Sequence, residues 1–169
     1  MSEQTRKQVN YTVACIHEFA RRKEISQKDA FLFLQKYRGI SFLNEFYDVE
    51  HTLSMNDAMD DLESVCRTNG GILSENGLNE MSKAEMLIEY ITQDIIAWLI
   101  EEKHVSMEEA MNLFYTSQVF SKMSDPETGL YLDAAASVYA LYQEERKAGE
   151  LVQNEIRKNN GGSHVPFQI

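Results

Sequence analysis

The sequence predicts an all-α protein made of two tandem small helical units, which could pack as one bundle, with a long helix at the C-terminal end. Three observations lead to this fold class. Apolar residues recur at steps of three and four, the spacing of one helix face. The 169 residues include only 2 prolines and 8 glycines, so few positions force a helix to end. Serines precede several of the apolar stretches, where helix N-caps are expected.

The first unit is predicted over residues 1–70 as four helices. The second and fourth helices each begin at a serine with an aspartate three residues later, a weak form of the capping box. The second is predicted to stop near Gly39, which can adopt the left-handed conformation of a helix end, and the third is short, over residues 41–47. The apolar stripe of the first helix is Val9, Val13, Ile16, Phe19 and Ala20, and the capping pairs are Ser26 with Asp29 and Ser54 with Asp57.

The second unit is predicted over residues 82–158, after a turn-rich linker at residues 71–81. Its first two helices each begin at a full capping box. A turn at residues 125–129 precedes the last helix. The capping boxes are Ser82 with Glu85 and Ser106 with Glu109, and the predicted inward residues of the first and last helices are Leu87, Tyr90, Ile91, Ile95, Trp98, Leu99, Ala136, Tyr139, Leu141 and Tyr142.

The last helix is predicted from about residue 133 to residue 158, followed by a flexible tail at residues 159–169. About 26 residues at 1.5 Å each give a length of roughly 39 Å, more than a small bundle needs. Leu151 and Val152 continue a thin apolar strip along its distal half. We expect this strip either to pack back on the first unit or to receive a partner.

The two units show the same plan when the sequence is compared with itself at an offset of 80 residues. Ser26 then aligns with Ser106, Ala30 with Ala110 and Ile25 with Val105. The shared order of long helix, serine cap and short helix predicts a helical repeat, in which the register ends after Leu43.

Charge and hydropathy exclude several classes of function. The net charge of −11 disfavours nucleic-acid binding, because that binding depends on lysine and arginine neutralising phosphates. The most apolar stretch, residues 95–100, is too short to span a bilayer, and the N-terminus has no apolar core like that of a signal peptide. Cys15 and Cys66 form neither a disulfide framework nor a metal-binding spacing and are predicted to be buried. A cytoplasmic location is therefore expected.

One histidine stands near carboxylates at helical spacing. If residues 45–52 are helical, Asp48 and His51 share a face, with Glu45 a turn behind, and could bind a metal or form an acid–base pair. The alternative is a helix end whose last carbonyls are met by His51, with the carboxylates in water. We find no phosphate-binding loop and no serine or cysteine beside an activating base, so no cofactor and no catalytic residue is predicted.

The segment at about residues 11–70 resembles a bacterial family known as domain of unknown function 3791. The resemblance is carried by Ile25-Ser26-x-x-x-Ala30-Phe31, by Tyr37 and above all by the run Phe46-Tyr47-Asp48-Val49-x-His51-Thr52. Residues 82–145 resemble a companion helical module often found near or fused to that family, through the run of residues 123–131. Members of the family are similar to small helical proteins encoded beside ADP-ribosyltransferase-like proteins, as antitoxins are encoded beside toxins.

The resemblance implies a non-enzymatic protein-interaction module, an antitoxin-like neutraliser of an ADP-ribosyltransferase-like partner, with a homo-oligomer also open. Two alternatives remain at this point: a metal-binding or hydrolytic protein that uses Asp48 and His51, and a helical transcription regulator. The residues predicted to bind the partner are Phe46, Tyr47, Asp48, His51, Leu151 and Val152.

Overall fold

The computed structural model describes the backbone of residues 1–72 and 82–160 and the side chains of residues 1–72 and 82–149. In these ranges the secondary structure is helical and contains no β-strand, which confirms the all-α fold class. The α-helices of the described ranges are α1 (Glu3–Lys23), α2 (Gln27–Lys36), α3 (Gly39–Glu45), α4 (Tyr47–Glu50), α5 (Met55–Thr68), α6 (Lys83–Lys103), α7 (Met107–Tyr115), α8 (Gln118–Met123) and α9 (Ala135–Asn160).

The helices of both predicted units contribute to one hydrophobic core. Helix α1 packs on α2, α5 and α6, and α6 packs on α7 and α9. Across the two units, the ring of Phe31 on α2 stacks on the ring of Tyr115 on α7 with 4.8 Å between centroids, and both side chains are fully buried. The helices therefore pack as one bundle, while the division into units at residues 1–70 and 82–158 stays a prediction.

The predicted serine caps are present. The hydroxyls of Ser26, Ser54, Ser82 and Ser106 each accept a hydrogen bond from the backbone N–H three residues later. Of the two full capping boxes predicted, the one at Ser82 is completed by the Glu85 side chain, whereas at Ser106 only the bond to the serine hydroxyl is formed. Helices α1 and α6 both have 21 residues, and their bounds differ by 80 residues. Each ends at a residue with a left-handed backbone, Glu24 and His104, with φ of 52° and 54°. Local rules thus place equivalent helix ends at equivalent positions in the two halves.

The predicted role of Gly39 is wrong. The left-handed residue between α2 and α3 is Arg38, with φ of 67°, and Gly39 is the first residue of α3. Gly39 is buried, and a Cβ built on it would lie 2.7 Å from Leu34 Cδ2 and 3.3 Å from Cys66 Sγ. Glycine therefore allows a close approach of neighbouring side chains at this position and does not form the helix end.

Part of the predicted apolar stripes is also wrong. Tyr90 is 56% exposed and Leu141 is 42% exposed, and Ala136 is exposed as well. Buried positions are taken instead by Ile88 on α6 and Val138 on α9. Helix α6 is covered by α1, α7 and α9 together, so its apolar face is wide and its centre is poorly defined by spacing alone.

Helix α9 has the predicted length, and its first half packs on α6 and α8. The Tyr139 hydroxyl donates to Glu102 at 2.6 Å, and the Glu145 carboxylate accepts from the backbone N–H groups of Gln118 and Val119 at the start of α8, at 2.9 Å each. The side chains of Leu151 and Val152, nearly all of the predicted linker and the predicted tail after residue 160 lie outside the described residues. No helix in the described part is both long and apolar enough to cross a membrane.

Candidate functional site

The segment singled out by the sequence, residues 46–53, joins α3 to α5 and consists of the one-turn helix α4 and the turn that follows it. We refer to it as the α4 turn. The backbone N–H of Val49 donates to the carbonyl of Phe46 at 2.9 Å, and that of Leu53 donates to the carbonyl of Glu50 at 3.1 Å. The Thr52 hydroxyl donates to the Val49 carbonyl at 2.7 Å. These hydrogen bonds satisfy backbone N–H and C=O groups within the segment, so most of its side chains are not needed for that purpose.

Tyr47 holds the α4 turn on the core. Its side chain is only 9% exposed, and its ring meets the ring of Tyr11 on α1 edge-on, with 5.8 Å between centroids. The Tyr11 hydroxyl donates to the backbone carbonyl of Glu50 at 2.9 Å. Two aromatic residues therefore fix the position of the turn relative to α1.

His51 packs against the ring of Tyr47 and is itself exposed to solvent. Its ring stacks on that of Tyr47, with 4.5 Å between centroids and 10° between planes, and its Nδ1 lies 2.6 Å from the Tyr47 carbonyl oxygen. A carbonyl oxygen can only accept, so Nδ1 carries the hydrogen of this bond. The arrangement matches the helix-end interpretation of His51.

Asp48 is exposed on the same turn. Among the described residues, no group of three or more histidine, cysteine, aspartate or glutamate side chains is placed to share a metal ion.

Glu50 is a buried carboxylate that the sequence did not reveal. Its side chain is 4% exposed, and its Oε2 has no hydrogen-bond partner among the described residues. Burial raises the pKa of this carboxyl, and nearby Asp61 raises it further. Burial also raises the pKa of the neighbouring Cys15 thiol to about 12, which keeps it protonated and unreactive at neutral pH. In the sequence, the one indication that Glu50 is buried is its position three residues after Tyr47, which places both on one face of a helix.

Four apolar side chains around the turn face solvent. They are Phe46, Val49, Leu53 and Met55, which are 46%, 58%, 38% and 36% exposed. We call them the α4 patch. Phe46 also lines a cleft of about 160 Å³ between α3 and α5, together with Phe42 and Val65. Apolar side chains grouped in this way on a surface are typical of an interaction site.

The structure therefore separates the residues predicted to bind a partner. Phe46, Asp48 and His51 are exposed on the α4 turn, whereas Tyr47 lies beneath them and supports the turn. Val49 and Leu53 are exposed beside them and are not among the residues predicted to bind a partner, because the turn is too short for apolar spacing to indicate its surface.

We expect Tyr47→Ala to lower the free energy of unfolding by about 3 kcal/mol, because it removes a buried aromatic anchor. Phe46→Ala should change it by less than about 1 kcal/mol, because this neighbour is half exposed. Urea denaturation followed by circular dichroism measures both. Equal losses for the two variants would contradict the assignment of Tyr47 as the support and Phe46 as the surface residue.

Residues 10–69 match a family described as "Protein of unknown function (DUF3791)". The match includes helices α2–α5 and most of α1, and it confirms the resemblance of the first unit to that family. Comparison with curated proteins and with solved structures gives no match.

Proposed function

We propose that the protein is a non-enzymatic interaction module that binds a protein partner through the α4 turn. The observation that supports this is the α4 patch, an apolar surface next to the buried Tyr47 within the segment that matches the family. Exposed apolar side chains are costly in isolation and gain from burial against a partner. More specifically, we propose an antitoxin-like neutraliser, acting in the cytoplasm, of an ADP-ribosyltransferase-like protein encoded by the adjacent gene.

Co-expression with the product of the adjacent gene tests this function. We expect the two proteins to co-elute in size-exclusion chromatography at micromolar concentration, and the complex to show less ADP-ribosyl transfer than the free partner. Separate elution, or a complex with undiminished transfer activity, would refute the neutraliser function.

A pair of double variants tests the surface. Phe46→Ala with Val49→Ala should weaken the complex by at least about tenfold, because these residues are the centre of the proposed contact. The matched control is Tyr90→Ala with Leu132→Ala, two apolar residues of the second half that are 56% and 67% exposed. The control should change affinity by less than about twofold. If the control variant weakened the complex more than the Phe46 and Val49 variant does, the contact would lie outside the α4 patch.

A further inference from the structure

The chain segment that carries the α4 patch has carboxylates and no lysine or arginine, although Arg38, just before it, lines the cleft beside Phe46. From Gly39 to Cys66 the sequence contains seven carboxylate residues and no lysine or arginine. Arg38 and Arg67 flank this stretch on either side. An interval of this composition creates a local negative field that is independent of the net charge of the chain.

Three of the seven carboxylates are already used inside the protein. Asp60 accepts from Arg22 on α1 at 2.6 Å, and Glu63 lies 2.9 Å from the ammonium of Lys23. Glu50 is buried beneath the turn. The two ion pairs attach α5 to α1, and with Glu50 buried the remaining four carboxylates are left to act outward.

The remaining four carboxylates are exposed beside the apolar residues. Glu45 and Asp48 adjoin Phe46 and Val49 in sequence, Asp57 follows Met55 by two residues, and all three are exposed, as is Asp61. Asp57 accepts a hydrogen bond from the Ser54 hydroxyl at 2.6 Å, which holds its side chain at the start of α5. The α4 patch is therefore an apolar surface with a border of negative charge.

We propose that the α4 patch binds a basic amphipathic segment of a protein partner, with apolar side chains on the patch and lysine or arginine on the carboxylates. The inference rests on the proposed function and names the chemistry of the partner's contact. Apolar contact would supply most of the affinity, and charge complementarity would supply selectivity and a fast encounter. A second copy of the chain is disfavoured, since a symmetric contact would bring the same carboxylates together.

The probe is a labelled amphipathic peptide of about 14 residues, with leucine and lysine at helical spacing, and its counterpart with glutamate in place of lysine. Fluorescence anisotropy with the full chain measures the dissociation constants. We expect the lysine peptide to bind and the glutamate peptide to bind at least about tenfold more weakly, with salt weakening the lysine complex. Equal binding of the two peptides, or no binding of the lysine peptide, would overturn the inference.

Charge-neutralising variants locate the contact. Glu45→Gln, Asp48→Asn and Asp61→Asn together should weaken lysine-peptide binding about tenfold and reduce its salt dependence. The control is Glu127→Gln, Asp133→Asn and Glu144→Gln, three exposed carboxylates of the second half that give the same change of net charge.

The control triple variant should bind within about twofold of the unmodified chain. Equal weakening in both triple variants would show a response to net charge alone and overturn the site. Circular dichroism of each variant verifies that it is folded. The double variant of Phe46 and Val49 provides a second, uncharged readout, and we expect it too to weaken peptide binding.

The peptide-binding experiments and the co-expression experiment can fail independently of each other. A complex with the adjacent gene product that is insensitive to the Glu45, Asp48 and Asp61 triple variant would overturn this inference and leave the neutraliser function standing. Peptide binding that requires the α4 patch, without a complex between the two gene products, would support this inference and remove that partner.

Discussion

Leu62→Ala should lower the free energy of unfolding by about 2–5 kcal/mol and shift the unfolding of both halves of the chain together. Leu62 is fully buried on α5, which packs on α1 and α3 and thus belongs to the predicted first unit. The loss combines the transfer free energy of the removed methyl groups with the cavity that they leave.

The fluorescence of Trp98, the one tryptophan in the sequence, reports on unfolding of the predicted second unit. Trp98 lies on α6 with its ring 5.4 Å from that of Tyr139 on α9, so its fluorescence follows the second unit. Because α1 and α6 contribute to one core, we expect the fluorescence transition in urea to move with that of circular dichroism.

The matched control is Leu32→Ala, a leucine on α2 that is 37% exposed, which should change stability by less than about 1 kcal/mol. If the fluorescence transition of Leu62→Ala stays in place while the circular dichroism splits into two steps, the two units unfold independently. That result would support the predicted domain division and contradict the single cooperative bundle.

The helix starts were predictable because their causes are local. A serine accepts from a backbone N–H three residues later whatever packs nearby, and this is why Ser26 and Ser106 begin helices at positions 80 residues apart. The left-handed residue after α2 was not predictable in the same way. Arg38 takes that conformation, and Gly39 begins α3 at a point where the side chain of Cys66, distant in sequence, approaches its backbone.

The sequence identified the segment that forms the candidate site, but it did not show which residues of that segment are exposed. The α4 turn is too short for hydrophobic periodicity, so nothing in the sequence tells Tyr47, which is buried, from Phe46, which is half exposed. The difference arises from Tyr11 on α1, which contacts Tyr47 and the Glu50 carbonyl. Tertiary contact therefore decides which residues of the run are available to a partner.

His17 is a second residue whose importance depends on tertiary contact. The sequence shows only that it lacks a second histidine at the spacing of a zinc-binding helix. In the structure its side chain is 4% exposed, and neither ring nitrogen has a hydrogen-bond partner among the described residues. Its ring lies 6.3 Å from that of Tyr115, whose buried hydroxyl has no such partner either. This pair places unsatisfied polar atoms between α1 and α7, where the two halves meet.

Burial lowers the pKa of His17 to about 3, from an ordinary value of 6.5. Between these values the unfolded chain binds a proton that the folded protein does not bind, so stability rises with pH and is lost as the pH falls below 6.5. The loss is roughly 1.4 kcal/mol per pH unit, and it reaches about 3 kcal/mol near pH 4.5. Glu50 and Glu89, whose pKa values are raised by burial, act in the opposite direction in acid.

His17→Leu should remove this acid sensitivity and leave stability at pH 7 unchanged or higher, because leucine fills the site without unsatisfied nitrogens. Urea denaturation between pH 7.5 and about pH 4.5 measures the slope of the free energy of unfolding against pH. In the variant this slope should fall by the amount that corresponds to about one proton taken up on unfolding. The control is His104→Asn, a replacement of an exposed histidine by a residue that tolerates its left-handed backbone, and it should keep the slope of the unmodified chain. Parallel curves for His17→Leu and the unmodified chain would mean that His17 is protonated in the folded protein, and that the acid response originates in other groups.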